Sequence, residues 1–206
     1  MALDALAMVE LDSIARGYRV VDAMVKRAPI TLLEANLVEP GRYLVLFAGG
    51  VAEVEESMDA AVELAEDHLL DRLLLPLVHP DIVPALRGHT VVRDPDTIGV
   101  IETRTVSSAL GACDRALKDA DVGLCGLRVA TGLGGKAFFV VHGLQHDVEA
   151  SIEAALGVLK PGGQLHSAEL IPRPHPEFVA VLLRPAPFAT PTTRATPTAP
   201  FAGGEG

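Results

Sequence analysis

Two hydrophobic periodicities alternate along the chain, and each half of the chain passes through them in the same order. Residues 6–12 are apolar and favour a strand, and after them Val20, Val21, Met24 and Ala28 share one face of a predicted helix. The corresponding stripe in the second half follows the spacing i, i+4, i+7, i+11 and i+14 and consists of Val106, Leu110, Cys113, Leu117 and Ala120. Each half therefore begins with a predicted strand and an amphipathic helix.

Each half continues with two strand-like runs, a second helix and a last strand. The paired runs are 30–38 and 42–48 in the first half, joined by a turn at 39–41, and 122–130 and 136–142 in the second. The second helix has an apolar stripe in both halves, formed by Val51, Val54, Met58, Val62 and Ala65 and by Leu144, Val148, Ile152, Ala155 and Leu159. The last strands are predicted at 70–75 and 164–171. This order, β-α-β-β-α-β, is the split βαβ arrangement of ferredoxin-like folds.

Residue identities repeat together with the periodicities. Asp22–Ala28 reappears as Asp114–Ala120, 92 positions later, and Pro76–Asp81 reappears as Pro172–Glu177, 96 positions later. Similar apolar patterning by chance would not reproduce charged and turn residues in the same order, and a period this long indicates a duplicated domain. We therefore predict an α/β (α+β) chain of two tandem ferredoxin-like domains, 1–92 and 93–183.

The composition changes after Leu183, where proline, threonine and alanine replace the apolar pattern up to Gly206. Such a stretch buries too little apolar surface to offset its chain entropy. We predict that 184–206 is a disordered tail, in which Phe188 and Phe201 are stray aromatics or short docking anchors.

Composition and charge exclude several classes of function. The 206 residues are 49% hydrophobic and 21% charged, as expected for a globular protein, and no apolar run approaches the ~20 residues that span a bilayer. The first nine residues do not resemble a signal peptide, and two cysteines without a pairing pattern indicate a reducing cytosol. The net charge of −10, the 4% aromatic content and the absence of a Lys/Arg cluster argue against nucleic acid as a partner.

The glycine-rich segment 132–136 invites comparison with a phosphate-binding loop. A Walker-type loop needs Gly at the position of Ala130 and Ser or Thr at the position of Ala137. The segment also joins two predicted strands, so no helix N-terminus follows it. We interpret it as a glycine-rich β-hairpin turn.

The other side chains that could bind a metal or take part in catalysis are scattered along the sequence. His142 and His146 lack a third ligand beyond the weak support of Asp147, and Cys113 and Cys125 fall on apolar element faces, where cysteine packs as a small hydrophobe. The acidic residues that begin the second helix, Glu53, Glu55, Glu56 and Asp59, favour the helix dipole on a solvated face. No spacing supports a catalytic triad or a carboxylate pair, so the sequence predicts no enzyme, no metal site and no cofactor.

Two similar units in one chain present two similar sets of edges, and three such chains would have approximate six-fold symmetry. Several segments of the chain resemble bacterial microcompartment shell proteins of the tandem-domain class, whose trimers act as pseudohexagonal, single-layer tiles. The segments are Val9–Gly17, Asp22–Lys26, Pro40–Arg42, Lys136 with its glycine loop, and Ile171–His175. The resemblance covers about residues 6–180. The element order of the two shell domains is not circularly permuted, which resembles the single-layer type rather than the stacked, gated type.

The resemblance implies a role for particular residues. The loop between the second and third strands lines the central pore of such tiles, and here it corresponds to Val38, Glu39 and Pro40 and to Thr131, Gly132, Leu133 and Gly134. Lys26, Lys118 and Arg173 match tile-edge positions, and His79 and His175 accompany them. Arg173 has Leu77 as its first-half equivalent, which puts the first-half edge contact in doubt.

The resemblance also has a bearing on cofactors. One relative from propanediol-using compartments holds an iron–sulphur cluster at the three-fold axis through a loop cysteine, but Glu39 occupies the corresponding place here and neither pore loop contains cysteine. We expect no cluster. Three Glu39 side chains around a narrow axis would repel anions, whereas a Glu39 turned sideways into a hydrogen bond would not.

The implied function is that of a structural tile in the shell of a cytoplasmic microcompartment. Its partners would be two further copies of itself, hexameric tiles and pentameric vertices, and small metabolites would cross the pore. Two alternatives stay open: a ferredoxin-like trimeric regulatory protein that binds a small molecule in a cleft, and an electron-transfer shell protein, which would require a cysteine near the axis.

Overall fold

A computed structural model of the chain describes residues 4–92, 95–129 and 132–183. The predicted tail at 184–206 and Thr131 of the second predicted pore loop lie outside these residues. The first copy contains β1 (Ala5–Leu11), α1 (Ile14–Arg27), β2 (Thr31–Val38), β3 (Arg42–Gly49), α2 (Val51–Ala65), β4 (Leu69–Pro76) and α3 (Ile82–Leu86). The second copy contains β5 (Thr97–Thr103), α4 (Val106–Asp119), β6 (Gly123–Val129), β7 (Ala137–Gly143), α5 (Gln145–Leu159), β8 (Leu165–Pro172) and α6 (Pro176–Leu182).

Both copies form a four-stranded antiparallel sheet with the same strand order. The orders are β2-β3-β1-β4 and β6-β7-β5-β8, so the first strand of each copy lies inside its sheet. Two helices of the same copy cover one face of each sheet, which we call the inner face. The prediction of two tandem, unpermuted ferredoxin-like units is confirmed.

The first copy has its own core between the inner face and its helices. Phe47 and Val45 of β3 and Val9 of β1 pack there with Met24 of α1 and Val54 of α2. Ser57 in α2 donates a hydrogen bond to the backbone carbonyl of Met24 at 3.2 Å, which ties the two helices together. The second copy buries Phe139 and Val141 in the equivalent place.

The other face of the first sheet, which we call its outer face, is covered by the second copy. Leu6, Met8, Leu44 and Leu46 on this face belong to one core cluster with Leu110 and Leu117 of α4. All seven residues of β1 are consequently buried. We call this contact between the outer face of the first sheet and α4 the internal seam.

Each copy ends in a short helix that the sequence analysis did not predict. α3 packs Ile82 and Val83 into the internal seam, and its Pro84 lies in the first helical turn, where proline is tolerated. α6 begins at Pro176, with His175 as its N-cap residue, and packs Val179 and Leu182 near Ile98 of its own sheet.

Candidate functional site

The first predicted pore loop is a tight connection between β2 and β3. Val38 is buried at the end of β2, whereas Glu39 and Pro40 are exposed and joined by a cis peptide bond. Gly41 follows with φ of +80°, a conformation that glycine adopts without strain. Among the described residues, no side chain or backbone group hydrogen-bonds to the carboxylate of Glu39, so it is presented to solvent.

The second predicted pore loop is the glycine turn between β6 and β7. Gly132 and Gly134 have positive φ, and the backbone N–H of Lys136 donates to the carbonyl of Leu133 at 3.2 Å. The segment is therefore a hairpin turn, as predicted, and no helix follows it directly. A Cβ atom placed on Gly135 would lie 3.6 Å from the carbonyl oxygen of Glu39, so the fold brings the two loops together.

An ion pair lies behind each loop, and the sequence analysis did not predict either of the two ion pairs. Glu10 is 4% exposed and pairs with the guanidinium of Arg42 at 3.0 Å. In the second copy Lys136 pairs with Glu102 at 3.1 Å, and its Nζ lies 3.1 Å from Nε2 of His166. The two ion pairs are formed by equivalent residues, since Glu10 corresponds to Glu102 and Arg42 to Lys136. This repetition in the sequence was a signal from which the ion pairs could have been predicted.

The predicted edge lysines occupy equivalent positions near the ends of α1 and α4. Each Nζ pairs with the aspartate one turn earlier at 2.6 Å, Lys26 with Asp22 and Lys118 with Asp114. Asp114 also accepts a hydrogen bond from the backbone N–H of His79 at 2.8 Å. Lys118 therefore lies at the border of the internal seam, whereas Lys26 is on an open surface.

The other predicted edge residues lie at the turns that precede α3 and α6. Arg173 and Leu77 are equivalent and both have positive φ, so the turn is conserved between the copies although the side chain is not. Arg173 is exposed, and its backbone N–H donates to the carbonyl of Asp96 at 2.8 Å. Nδ1 of His79 and Nδ1 of His175 accept from the backbone two residues later, at 3.4 and 3.3 Å, so both imidazoles brace their turns.

The two cysteines are packed away from both loops. Cys113 lies in α4 and Cys125 in β6, and both are buried with free thiols. Burial raises the pKa of the Cys113 thiol far above its usual range and that of Cys125 to about 12, so both stay protonated. Across residues 4–92, 95–129 and 132–183, no group of three or more His, Cys, Asp or Glu side chains is placed to hold a metal ion.

Within the described parts of the chain, no helix combines the length and the apolar character that a membrane span requires.

Comparison with known proteins assigns the two copies to one family. The model of the BMC domain matches residues 5–78 and 97–174, which are the two sheets with their helices. The chain therefore belongs to the bacterial microcompartment (BMC) shell protein family, in the class that carries two BMC domains in tandem.

Particular relatives share most of the chain. It is 36% identical to the bacterial microcompartment shell protein PduT of Citrobacter freundii over 171 residues, which cover 83% of this chain and 93% of PduT. It is 26% identical to the carboxysome assembly protein CcmO of Synechocystis sp. over 82% of this chain, but only 61% of CcmO is matched. A crystal structure of a microcompartment protein from Desulfitobacterium hafniense DCB superposes with a TM-score of 0.81 at 38% identity, over 86% of this chain and 98% of that one.

Proposed function

We propose that three copies of this chain close into a ring and act as a pseudohexagonal tile of a microcompartment shell, with a central pore. The proposal rests on one observation: the surfaces that form the internal seam within the chain recur on its two outer sides, where no further domain among the described residues covers them.

The first surface is the side of α1 that corresponds to the seam side of α4. In α4, Val106, Leu110 and Leu117 are buried against the first copy. Their equivalents in α1, all exposed, are Ile14, Tyr18 and Val25. Leu110 is 0% exposed and Tyr18 is 62% exposed, although both occupy the same position of the same helix. α1 therefore presents a large apolar stripe that lacks the neighbour its equivalent has.

The second surface is the outer face of the second sheet. Met8 and Leu44 are buried in the internal seam, whereas their equivalents Val100 and Phe138 are only half-buried. Glu102 is likewise more exposed than Glu10. This face has an apolar centre like that of the first outer face, but within residues 4–92, 95–129 and 132–183 no helix equivalent to α4 lies across it.

The short terminal helices repeat the contrast. Ile82 of α3 is 0% exposed because the second copy covers it, whereas its equivalent Phe178 in α6 is 40% exposed. Val181 of α6 is exposed where Ala85 of α3 is buried. α6 thus extends the open outer face of the second copy.

An open helix side at one end of the chain and an open sheet face at the other end fit one another head to tail. A head-to-tail contact produces a closed ring when its rotation closes. The internal seam already relates two domains of one chain, and three chains with the same rotation at every seam would give six domains around an axis. Each chain contributes two loops to that axis, and the contact of Gly135 with the Glu39 carbonyl supports this placement.

In such a ring we expect Val38, Glu39 and Pro40, with Thr131, Gly132, Leu133 and Gly134, to surround the pore, where small metabolites cross. The solvent-presented carboxylates of Glu39 would form a ring of three that repels anions. Lys26, Lys118, Arg173, His79 and His175 would lie at the tile rim and meet hexameric tiles, with pentameric proteins at the vertices. The role is structural rather than enzymatic, and the location is the shell of a cytoplasmic microcompartment.

Assembly is the first test of this proposal. The purified full-length chain should sediment as a trimer, and it should form sheets or polyhedra in electron micrographs when mixed with a hexameric shell protein. A Tyr18→Asp variant, which places a charge on the open side of α1, should remain monomeric and form no mixed sheets. A wild-type chain that stays monomeric at every concentration would refute the ring.

The pore role of Glu39 has a separate test. Reconstituted shells carrying Glu39→Gln should pass a small anionic dye faster than wild-type shells, while a neutral dye of the same size passes equally through both. Equal anion flux in the two shells would remove the electrostatic role of Glu39 without affecting the tile.

A trimeric regulatory protein is the competing function, and one feature favours it. A cleft of about 360 Å³ lies beside α3, and its lining includes the guanidinium of Arg87 and the imidazoles of His79 and His89. This alternative predicts a small anion bound in the cleft and no sheets in the same micrographs.

A further inference from the structure

The two seams of the proposed ring differ in the charge of one pair of facing positions. The internal seam can be followed contact by contact along α4 and β4. The hydroxyl of Ser107, near the start of α4, donates to the carboxylate of Asp71 in β4. Two turns further along α4, Asp114 accepts from the backbone N–H of His79, which lies beyond the end of β4. The helix and the strand therefore run side by side in the same direction.

Gly111 and Leu73 lie between these two contacts. Gly111 is one turn after Ser107, about 6 Å along the helix, and Leu73 is two residues after Asp71, about 7 Å along the strand. Leu73 points to the outer face, where it packs against the seam cluster. A Cβ atom added to Gly111 would meet no atom within 4 Å, so this part of the seam has room for a side chain.

Gly111 and Leu73 are uncharged, but their equivalents in the opposite copy of the chain carry opposite charges. Gly111 corresponds to Arg19 on α1, and Leu73 corresponds to Glu169 on β8. Both are exposed, and among the described residues neither takes part in an ion pair. Arg16 and Lys26 on the same helix are already engaged, with Glu66 and Asp22 respectively. The cation of α1 and the anion of the second outer face are thus placed at matching points of the two open surfaces.

We propose that Arg19 of one chain forms an ion pair with Glu169 of its neighbour at the seam between chains, and that this pair selects the head-to-tail partner. The inference rests on the ring proposed above. The seam side of α4 is already buried against the first copy of its own chain, so the helix side that a second outer face can meet is that of α1. When a second outer face meets α1, Glu169 gains Arg19 as its partner, so the charges favour this head-to-tail contact and fix its register.

The polar contact of the internal seam does not recur at the open one, which separates the two seams further. Ser107 and Asp71 correspond to Ala15 and Ser167, which cannot repeat the contact of a hydroxyl with a carboxylate. At the open seam the carboxylate is that of Glu169, two residues after the equivalent of Asp71. Its proposed helix partner is Arg19, one turn after the equivalent of Ser107. The chain therefore distinguishes its internal seam from its external seam by where the charge lies.

A charge-exchange experiment on the full-length chain tests this pair. The trimer dissociation of wild type, Arg19→Glu, Glu169→Arg and the double variant would be measured by sedimentation equilibrium at low and high salt. Each single variant places like charges opposite one another and should weaken assembly at least tenfold at low salt, less at high salt. The double variant restores an ion pair of opposite direction and should recover most of the wild-type affinity. Glu153→Arg, the same charge change on the exposed side of α5, is the control and should assemble like wild type.

The outcomes separate this inference from the ring itself. Recovery in the double variant supports the pair. Single variants that assemble like wild type, or a double variant no better than the singles, would overturn the pair while a trimeric wild type leaves the ring standing. A wild-type chain that never assembles would instead remove the ring on which the inference rests.

Discussion

α1 and α4 derive from the same duplicated segment, yet they have different numbers of neighbours. Both begin with a hydroxyl cap, in which Ser13 or Thr105 accepts from the backbone N–H three residues later, and both end with a lysine paired to an aspartate. α1 buries only Gly17, Val20 and Met24, all toward its own sheet, whereas α4 is buried on two sides. In the proposed ring, the exposed apolar residues of α1 make with a neighbouring chain the contact that α4 makes within its own chain.

The largest expected effect comes from truncating the same position in both helices. Leu110→Ala removes a fully buried side chain from the internal seam and should lower the free energy of unfolding by about 2–5 kcal/mol. Tyr18→Ala removes an exposed ring whose centroid lies 5.2 Å from that of Tyr43, so in the isolated chain the loss should be only about 0.5–1.5 kcal/mol. Urea denaturation at a dilution where the chain is monomeric measures both.

Protein concentration sharpens this first prediction. If Tyr18 packs at the seam between chains, its loss should grow as concentration rises, because association stabilises the folded wild type by mass action. The loss for Leu110→Ala should stay nearly constant over the same range. Equal losses for the two variants at high dilution would contradict the difference in their burial.

A second contrast concerns how each copy fills the space beneath its first helix. In the first copy Gly17 faces the ring of Tyr43, and a Cβ atom at Gly17 would lie only 2.4 Å from Cδ1 of that ring. In the second copy the equivalent residues are Ala109 and Ala137, both buried. The two copies thus fill the same space with different residues. The first copy places glycine beside tyrosine, and the second places alanine beside alanine.

The effect of Gly17→Ala on stability should therefore change sign with the residue at position 43. Alanine gains about 1 kcal/mol in helix propensity over glycine, but forcing a methyl group into the ring of Tyr43 costs about 1–3 kcal/mol. We expect a net loss of stability in the wild-type background. In a Tyr43→Ala background, which reproduces the second copy, the same change should gain up to about 1 kcal/mol. Thermal unfolding of the four chains in this cycle measures the coupling, and additive effects would show that the ring moves aside freely.

The sequence was sufficient for the elements and for the duplication, because strand and helix periodicities are local and the copies check one another. It was less informative about the seam. The stripe predicted for α4 includes Leu110 and Leu117, which face the other copy, whereas the stripe predicted for α1 includes only residues of its own core. Periodicity reports that a residue is apolar, but not which of two neighbours covers it. α3 and α6 were missed because helices of five and seven residues hold too few turns to display a period.

The smallest expected effect compares His142 with its equivalent Ala48, another exchange of volume between the copies. The His142 ring lies over Gly123, since a Cβ atom there would be 2.4 Å from Nε2, whereas Ala48 faces Thr31 in the first copy. Nε2 of His142 is buried and, among the described residues, has no hydrogen-bond partner. Burial lowers the pKa of His142, and the backbone of Val91 beside the ring opposes this only in part.

The sign of the pH dependence follows from that direction. Because the folded state disfavours the protonated imidazole, the unfolded chain takes up a proton at a higher pH than the folded chain does. The contribution of His142 to stability is therefore complete above about pH 6.5, the ordinary pKa of histidine, and declines as the pH falls through the region below it. His142→Ala, the residue that the first copy tolerates here, should lose less stability than wild type between pH 7 and pH 5.5 in urea denaturation. An identical pH profile for the two chains would mean that His142 takes up its proton as readily in the folded chain as in the unfolded one.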